Sequence, residues 1–240
     1  MKTGQSKELR RVRLVLIASG RGTDAESIMD AYRQGVLPNI DLRFLISTKT
    51  GAECLFKAEA LNIPTQVLDY KCYGKEVFEF RVIKSIESAE IQLVFLVGCI
   101  VKIPIISGIR MYNIHPAEPK KFGGKGMYGL AVHQKVLEDI FDQIKRGKKS
   151  INDRFFTNLT VHEVGVIYDE GQILLQTSVE IPPTLIQQYL LAKSSDESAQ
   201  QQVYAQMQEF VLPFEHAMLP AAVNLAALQI LNLTKIESEL

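Results

Sequence analysis

The chain has 240 residues, of which 47% are hydrophobic and 22% charged, a composition that allows a substantial buried core. The 27 Lys and Arg residues equal the 27 Asp and Glu residues, so a net charge of zero gives no general attraction for nucleic acid. Its cysteines, Cys54, Cys72 and Cys99, have no CxxC spacing and no nearby histidine cluster, which indicates a reduced, cytoplasmic protein without a structural zinc. The polar residues 1–7 do not resemble a signal peptide, and no apolar run is expected to span a bilayer.

The first half of the chain alternates between strand and helix patterns. Val12 to Ala18 is a nearly continuous apolar, β-branched run, typical of a strand covered on both faces. This alternation with short connections predicts an α/β fold with a Rossmann-like, mostly parallel sheet flanked by helices. The predicted strands are 12–18, 42–46, 64–68 and 91–97, and the predicted helices are 25–34, 52–60 and 75–87.

The second half has a different pattern. A helix over 131–146 is expected to end in the basic run Lys145–Lys149, which is interpreted as a solvated helix terminus. Two strand-like runs, 155–168 and 172–179, surround Asp169-Glu170-Gly171 and predict an antiparallel hairpin at the sheet edge. Two helices, 198–210 and 215–231, are predicted to complete the chain.

The segment Met111-Tyr112-Asn113-Ile114-His115-Pro116 carries the clearest chemical signal. On a strand, Asn113 and His115 project from the same side, and Pro116 stops the strand so that both lie at its carboxyl end. Open α/β sheets bind small molecules at that end. An amide beside an imidazole can stabilise an oxyanion and move a proton. On geometry alone, a turn-capping Asn and a buried structural His explain the pattern equally well.

The turn Gly20-Arg21-Gly22-Thr23-Asp24 joins the first strand to the first helix. Glycine there permits a positive φ, and the free N–H groups of the following helix can bind an anion. The alternative is a simple tight turn with Thr23 or Asp24 as the helix N-cap. The turn is not a complete G-x-G-x-x-G fingerprint, and the glycine-rich segment 123–129 lacks the arrangement of a P-loop.

With these pieces in place, the chain resembles the folate-dependent formyltransferases over residues 12–235. The order and spacing of five motifs carry the resemblance, which implies one formyltransferase domain over 1–240, with a substrate-side lobe at 12–112 and a catalytic, folate-side lobe at 113–235. The motifs are Ala18–Thr23, Asn113–Pro116, Phe122–Gly129 with Val132-His133, Thr160-Val161-His162 leading to Asp169, and Glu215-His216-Ala217 at the start of the last helix.

The resemblance implies formyl transfer from 10-formyltetrahydrofolate, a co-substrate, to a primary amine, without a metal. By analogy, Asn113 donates a hydrogen bond to the oxyanion, and His115 supports the same charge or shuttles a proton. Asp169 would hold the imidazolium and help to move the amine proton; an ordinary turn acid is the alternative. His133 and His162 also match the family, and they are interpreted as positions that either pack in the core or support the catalytic residues from behind.

The resemblance also implies two sets of binding residues, both of which depart from the family pattern. Asp24 stands where the family usually has Asn, so a bound phosphate would be repelled unless Arg21 offsets the charge. Lys75 and Val101 stand where the family has Arg. The expected acceptor contacts are Gly20, Arg21, Gly22, Thr23, Asp24, Lys75 and Glu215, and the expected folate contacts are Gly98, Cys99, Ile100, Val101, Lys102, Ile103, Glu170 and Gly171.

Three functions remain open at this point. The first is formylation of glycinamide ribonucleotide in purine biosynthesis, and the second is formylation of another amine, such as an amino sugar nucleotide. The third is a catalytically silent folate-binding protein of the same fold. In each, the expected partners are small molecules rather than nucleic acid or a membrane, and the protein is a monomer or a homodimer.

Overall fold

The computed structural model describes residues 10–239, with side chains as far as Leu233, so the polar residues 1–7 lie outside the described residues. The strands are β1 (Val12–Ala18), β2 (Ile40–Ser47), β3 (Thr65–Val67), β4 (Leu93–Leu96), β5 (Arg110–His115), β6 (Phe156–Glu163) and β7 (Ile173–Glu180). The helices are α1 (Thr23–Arg33), α2 (Glu53–Ala60), α3 (Tyr70–Ser88), α4 (Pro119–Phe122), α5 (Leu130–Lys145), α6 (Pro183–Lys193) and α7 (Glu197–Glu239).

The strands form one seven-stranded sheet in the order β3-β2-β1-β4-β5-β6-β7. Strands β1 to β5 pair in parallel, whereas β6 is antiparallel to β5 and β7 is antiparallel to β6. The predicted α/β fold, with a parallel core and an antiparallel hairpin at its edge, is confirmed.

Helices cover both faces of the central strands, which explains their continuous apolar sequences. Leu14 and Leu16 of β1 belong to the core beneath α1, α2, α5, α6 and α7. Val15 and Ile17 face the other way, into the core formed with α3. The central strands β1 and β4 are therefore covered on both faces, and their carboxyl ends are the part left for ligands.

The carboxyl-terminal helices differ from the prediction. One continuous helix, α7, replaces the two predicted over 198–210 and 215–231, and it contains Pro213 and Pro220. A proline removes one backbone hydrogen bond, but Val211 and Leu219 are fully buried in the same core and hold the helix together on both sides of Pro213. Helix α6 is not among the predicted elements; it starts with Pro183, which the first turn of a helix tolerates.

Helix α7 also corrects the expectation that no apolar run could span a bilayer. By length and composition alone, residues 197–233 are sufficient to do so. Its apolar residues nevertheless lie in the protein core, among them Met207, Val211 and Val223, and α7 packs against α1, α5 and α6. Core packing therefore accounts for its apolar sequence.

The strand predicted over 155–168 ends at Glu163, and residues 164–172 connect β6 to β7 as a loop. Asp169 in this loop has a left-handed backbone, with φ 58°, which a strand cannot contain. Gly171 lies so close to β6 that a Cβ on it would be 1.8 Å from the Glu163 carbonyl oxygen. The loop therefore folds back onto the strand that it leaves.

The basic run 145–149 ends α5 as predicted. Arg146 is the C-cap residue and pairs with Asp142 at 3.2 Å, and the Lys148 amide donates a hydrogen bond to the Gln143 carbonyl at 2.9 Å. These contacts satisfy carbonyl groups at the end of the helix.

The turn after β1 is built around Gly22 rather than a side-chain cap. Gly22 is the N-cap residue of α1, with φ 69°, and no side chain caps the helix; Thr23 and Asp24 are its first two residues, so neither is the predicted N-cap. A Cβ on Gly22 would lie 2.3 Å from the Cβ of Cys54 in α2. Glycine is required there both by the backbone conformation and by the approach of α2.

Replacement of this glycine tests that packing. We expect Gly22→Ala to lower the free energy of unfolding by about 3 kcal/mol or more, because the methyl group adds a clash to a strained φ. The matched control is Gly35→Ala, which has φ 74° but no atom within 4 Å of its Cβ, and should cost about 1 kcal/mol. Urea unfolding measures both, and equal losses would contradict the role of the α2 contact.

Candidate active site

A cavity of about 500 Å³ opens at the carboxyl ends of β1, β4 and β5. Five segments meet around it: residues 21–24 before and within α1, 97–101 after β4, 113–116 at the end of β5, the glycine-rich residues 124–129, and α7 with Gln208, Leu212 and Glu215. His133, Tyr168 and Asp169 complete the wall. The carboxyl ends of the strands, where the sequence predicts ligand binding, therefore border a concave site.

The pairing of β5 with β6 explains why the polar side chains cluster. Asn113 lies opposite His162, and His115 lies opposite Thr160. Opposed residues in antiparallel strands share a face, as do residues two apart on one strand. Asn113, His115, Thr160 and His162 therefore lie on one face of the sheet, next to the cavity.

The carboxylate of Asp169 reaches this group from the loop after β6. Its Oδ2 accepts a hydrogen bond from the Gly124 amide at 2.8 Å, and its Oδ1 lies 3.4 Å from Nε2 of His162. The adjacent Gly123 has no room for a side chain, because a Cβ there would be 2.6 Å from the Cβ of Asp169. The glycine-rich segment therefore fixes the carboxylate by direct backbone contact.

Two backbone carbonyl groups set the tautomers of the neighbouring histidines. Nε2 of His115 is 3.1 Å from the Phe122 carbonyl oxygen, and Nδ1 of His162 is 2.9 Å from the Glu163 carbonyl oxygen. Because a carbonyl can only accept, each of these nitrogens must carry a proton. In the neutral ring of His115, Nδ1 is then the proton-accepting atom.

Burial gives His115 and Asp169 complementary charge states. Burial lowers the pKa of His115, and the negative charge of Asp169 opposes this only in part, so the imidazole is neutral at pH 7. Burial raises the pKa of Asp169, but interactions with His162 and the Gly124 amide outweigh it and bring that pKa below its usual value. A neutral imidazole and an ionised carboxylate thus lie together at the end of β5.

His133, in the first turn of α5, forms part of the cavity wall. It is 1% exposed, and its Nδ1 is buried without a hydrogen-bond partner. Burial, with a small contribution from His115, lowers the pKa of His133 to about 4. The ring is therefore neutral at pH 7.

A second, smaller cavity of about 70 Å³ adjoins the first. Much of its wall is apolar, including Leu96, Ile103 and Val164. The residues common to both cavities are Cys99, Val101, Asn113, Tyr168 and Asp169. Asn113 and Asp169 therefore lie where a larger cavity of mixed lining meets a smaller, more apolar one.

Most of the residues expected to bind ligands reach these cavities, but some do not. Arg21, Gly22, Thr23, Asp24, Gly98, Cys99, Ile100, Val101 and Glu215 line the larger cavity, and Cys99, Val101, Lys102 and Ile103 line the smaller one. Lys75 instead lines a third cavity of about 240 Å³, with Lys102 and Ile103. Gly20, Glu170 and Gly171 line none of the three. Glu215 lies in the middle of α7 rather than at the start of a helix.

His162, expected to pack near or support the candidate catalytic residues, contacts Asp169 directly at 3.4 Å. The structure adds residues that sequence reasoning missed. The Phe122 carbonyl and the Gly124 amide are backbone groups, so the residue types at these two positions do not indicate the contacts that they make. Gln208 of α7 reaches the cavity and accepts a hydrogen bond from Arg21 at 3.0 Å.

Comparison with known proteins identifies the family of this chain. The family model described as Formyl transferase matches residues 12–207. The trifunctional purine biosynthetic protein adenosine-3 of Homo sapiens is 29% identical over 92% of this chain, which spans only 19% of that protein's length. The chloroplastic phosphoribosylglycinamide formyltransferase of Arabidopsis thaliana is 30% identical over 74% of this chain, which corresponds to 58% of the length of that protein.

Solved structures agree with the fold. The glycinamide ribonucleotide transformylase 1 of Geobacillus kaustophilus matches with a TM-score of 0.65 at 23% identity, over 91% of this chain and 100% of its own. The phosphoribosylglycinamide formyltransferase of Brucella melitensis matches with a TM-score of 0.64 at 26% identity, over 91% of this chain and 96% of its own. The resemblance predicted from the motifs is confirmed.

The buried His133 gives a testable dependence of stability on pH. Its folded pKa, about 4, lies below the ordinary value of 6.5, so its contribution to stability is complete above pH 6.5 and is lost as the pH falls toward 4. The loss should be about 3 kcal/mol. We expect His133→Leu, which has no proton to gain, to flatten the decline of the unfolding free energy between pH 6.5 and 4. Urea titrations across this range measure it, and parallel curves for the two proteins would refute the assignment.

Proposed function

This chain belongs to the formyl transferase family, and we propose that it transfers a formyl group from 10-formyltetrahydrofolate to a primary amine, with glycinamide ribonucleotide as the acceptor. The observation that carries the proposal is the position of Asn113 and Asp169, which line both adjoining cavities. Two substrates that meet at those residues can react there. Similarity to a trifunctional purine biosynthetic protein and to a phosphoribosylglycinamide formyltransferase supports this acceptor.

The character of the two cavities suggests which substrate each one takes. The smaller cavity, with Ile103, Val164 and Ile167 in its wall, suits the flat ring system of the reduced folate. At about 70 Å³ it holds only a fragment of a folate, so the rest must extend past the exposed residues 166–168. The larger cavity, with the α1 turn and Glu215, suits the polar acceptor.

The proposed reaction begins when the amine nitrogen attacks the formyl carbon and forms a tetrahedral oxyanion. The side-chain amide of Asn113 makes no hydrogen bond within the described residues, so it is free to donate one to this oxygen. Nδ1 of the neutral His115 accepts the proton that the attacking nitrogen loses, and the Asp169 carboxylate stabilises the resulting imidazolium. The oxyanion then collapses to the carbonyl of the new formamide and expels the folate nitrogen, which takes the proton from the His115 imidazolium.

One observation favours a second candidate, the same transfer to an amine without a phosphate at the α1 turn. Asp24 lines that part of the cavity, and its carboxylate is unfavourable beside a phosphate. Together, Asn113, His115 and Asp169 argue against a catalytically silent protein. For either acceptor, the proposal places the reaction in the cytoplasm, with small-molecule partners and no metal.

The transfer itself can be tested by following the release of deformylated folate, with glycinamide ribonucleotide as the acceptor. We expect turnover by the wild-type protein and a decrease in kcat of about 10²- to 10³-fold in Asn113→Ala, because one oxyanion donor is lost. Asn152→Ala, in the exposed turn after α5, is the matched control and should retain full activity. Turnover with another amine alone would favour the second candidate. Folate binding without turnover on any amine would refute the proposal.

The pH dependence of kcat tests the role of His115. The ring must be neutral to accept a proton, and its pKa is lowered from 6.5. We therefore expect kcat to be constant above pH 6.5 and to fall only at lower pH. In Asp169→Asn the pKa of His115, measured by NMR, should be lower still, because the negative charge of Asp169 that raises this pKa is gone. An acid limb centred above pH 6.5 would contradict this assignment.

A further inference from the structure

Two carboxyl groups face each other across the acceptor side of the larger cavity. Asp24 comes from the first turn of α1, and Glu215 comes from the middle of α7, which packs against α1. Both line the cavity. The Asp24 side chain is 15% exposed, and Glu215 is 6% exposed. Burial of two acidic groups in one cavity costs free energy of folding, and such groups cluster at sites that bind a ligand.

Neither carboxyl group is fully satisfied by the protein. Oδ1 of Asp24 lies 3.5 Å from Nε2 of His216, and both atoms are buried without a hydrogen-bond partner. Within the described residues, the Glu215 carboxyl group is hydrogen-bonded to nothing, although it is more than nine-tenths buried and faces the cavity. These groups are therefore available to a ligand.

The charged groups of the surrounding elements leave the negative charge of Asp24 only partly balanced. The preceding turn supplies Arg21, which is bonded to Gln208 of α7, and the glycine-rich segment supplies the exposed Lys125. Lys57 of α2 pairs with Glu26. His216 of α7 faces Asp24 at 3.5 Å.

Burial, together with the negative charge of Asp24, raises the pKa of Glu215 well above its ordinary value. The protonated form of Glu215, which can donate a hydrogen bond, is thereby favoured beside Asp24.

We propose that Asp24 is a specificity-determining residue, which makes this cavity select the singly ionised form of a phosphate-bearing acceptor over the doubly ionised form. The inference rests on the proposed function and adds the charge of the acceptor to it. The free N–H groups of α1 attract an anion to the turn, and the carboxylate on the same helical turn repels the second charge. Since the second pKa of a phosphate monoester is near 6, the preferred form declines from about pH 6 to 8.

The test compares two ligands that differ only in the phosphate: glycinamide ribonucleotide and its dephosphorylated riboside. The Kd of each is measured by calorimetry at pH 6 and pH 8, for the wild type, for Asp24→Asn and for Asp30→Asn. Asp30 lies further along α1 and does not line the cavity, so its variant has the same change in net charge without the change at the turn. The riboside shares the titrating amine and corrects for its ionisation.

In the wild type, the preference for the ribonucleotide over the riboside should fall about tenfold between pH 6 and pH 8. In Asp24→Asn this preference should be about ten- to hundredfold larger at pH 8 and nearly independent of pH, whereas Asp30→Asn should match the wild type. Equal preferences in the wild type and Asp24→Asn would overturn the role of Asp24 but leave the proposed function intact. Failure of all three proteins to bind either ligand would overturn both the proposed acceptor and the inference.

Discussion

The active site depends on one close backbone approach, between the glycine-rich segment after α4 and the loop after β6. There is no room for a Cβ on Gly123, which lies against both Asp169 and the Pro119 carbonyl. Asp169 itself adopts a left-handed backbone, which costs a non-glycine residue of order 1 kcal/mol. The charge-assisted hydrogen bond from Gly124 offsets this cost. These backbone contacts fix the carboxylate of Asp169 near the carboxyl end of β5.

The two buried histidines near the Asp169 carboxylate, His162 and His115, make different contacts. His162 carries a proton on Nδ1, so Nε2 faces the carboxylate oxygen of Asp169 at 3.4 Å. Nε2 of His162 makes no hydrogen bond within the described residues, so this close contact is its nearest polar interaction with the carboxylate. His115 has its proton on the opposite nitrogen, bonded to the Phe122 carbonyl. One histidine thus supports the carboxylate, while the other keeps a free basic nitrogen.

The parts of this protein that could be predicted from sequence are those governed by local periodicity. Strand β1 ends where its apolar run ends, and the alternation of Asn113 and His115 places both at one sheet edge. Long-range geometry could not be derived in this way. The helices predicted over 198–210 and 215–231 form one continuous helix because core packing holds the chain together on both sides of Pro213. A kink at Gly74 precedes Lys75, which lines a different cavity from the α1 turn. The residues alone indicated a hairpin around Asp169, but only the family resemblance gave it a role.

The two ends of the larger cavity use carboxylates for opposite purposes. Asp169 stabilises positive charge that develops during the proposed transfer, so its ionisation assists the chemistry. Asp24 lies in the first turn of α1, where the partial positive charge of the helix favours an anion. The protein therefore supplies its own anion at the position that would attract a ligand's phosphate. A second anion gains less from the helix terminus once the first is in place, which is the physical basis of the charge selectivity proposed for Asp24.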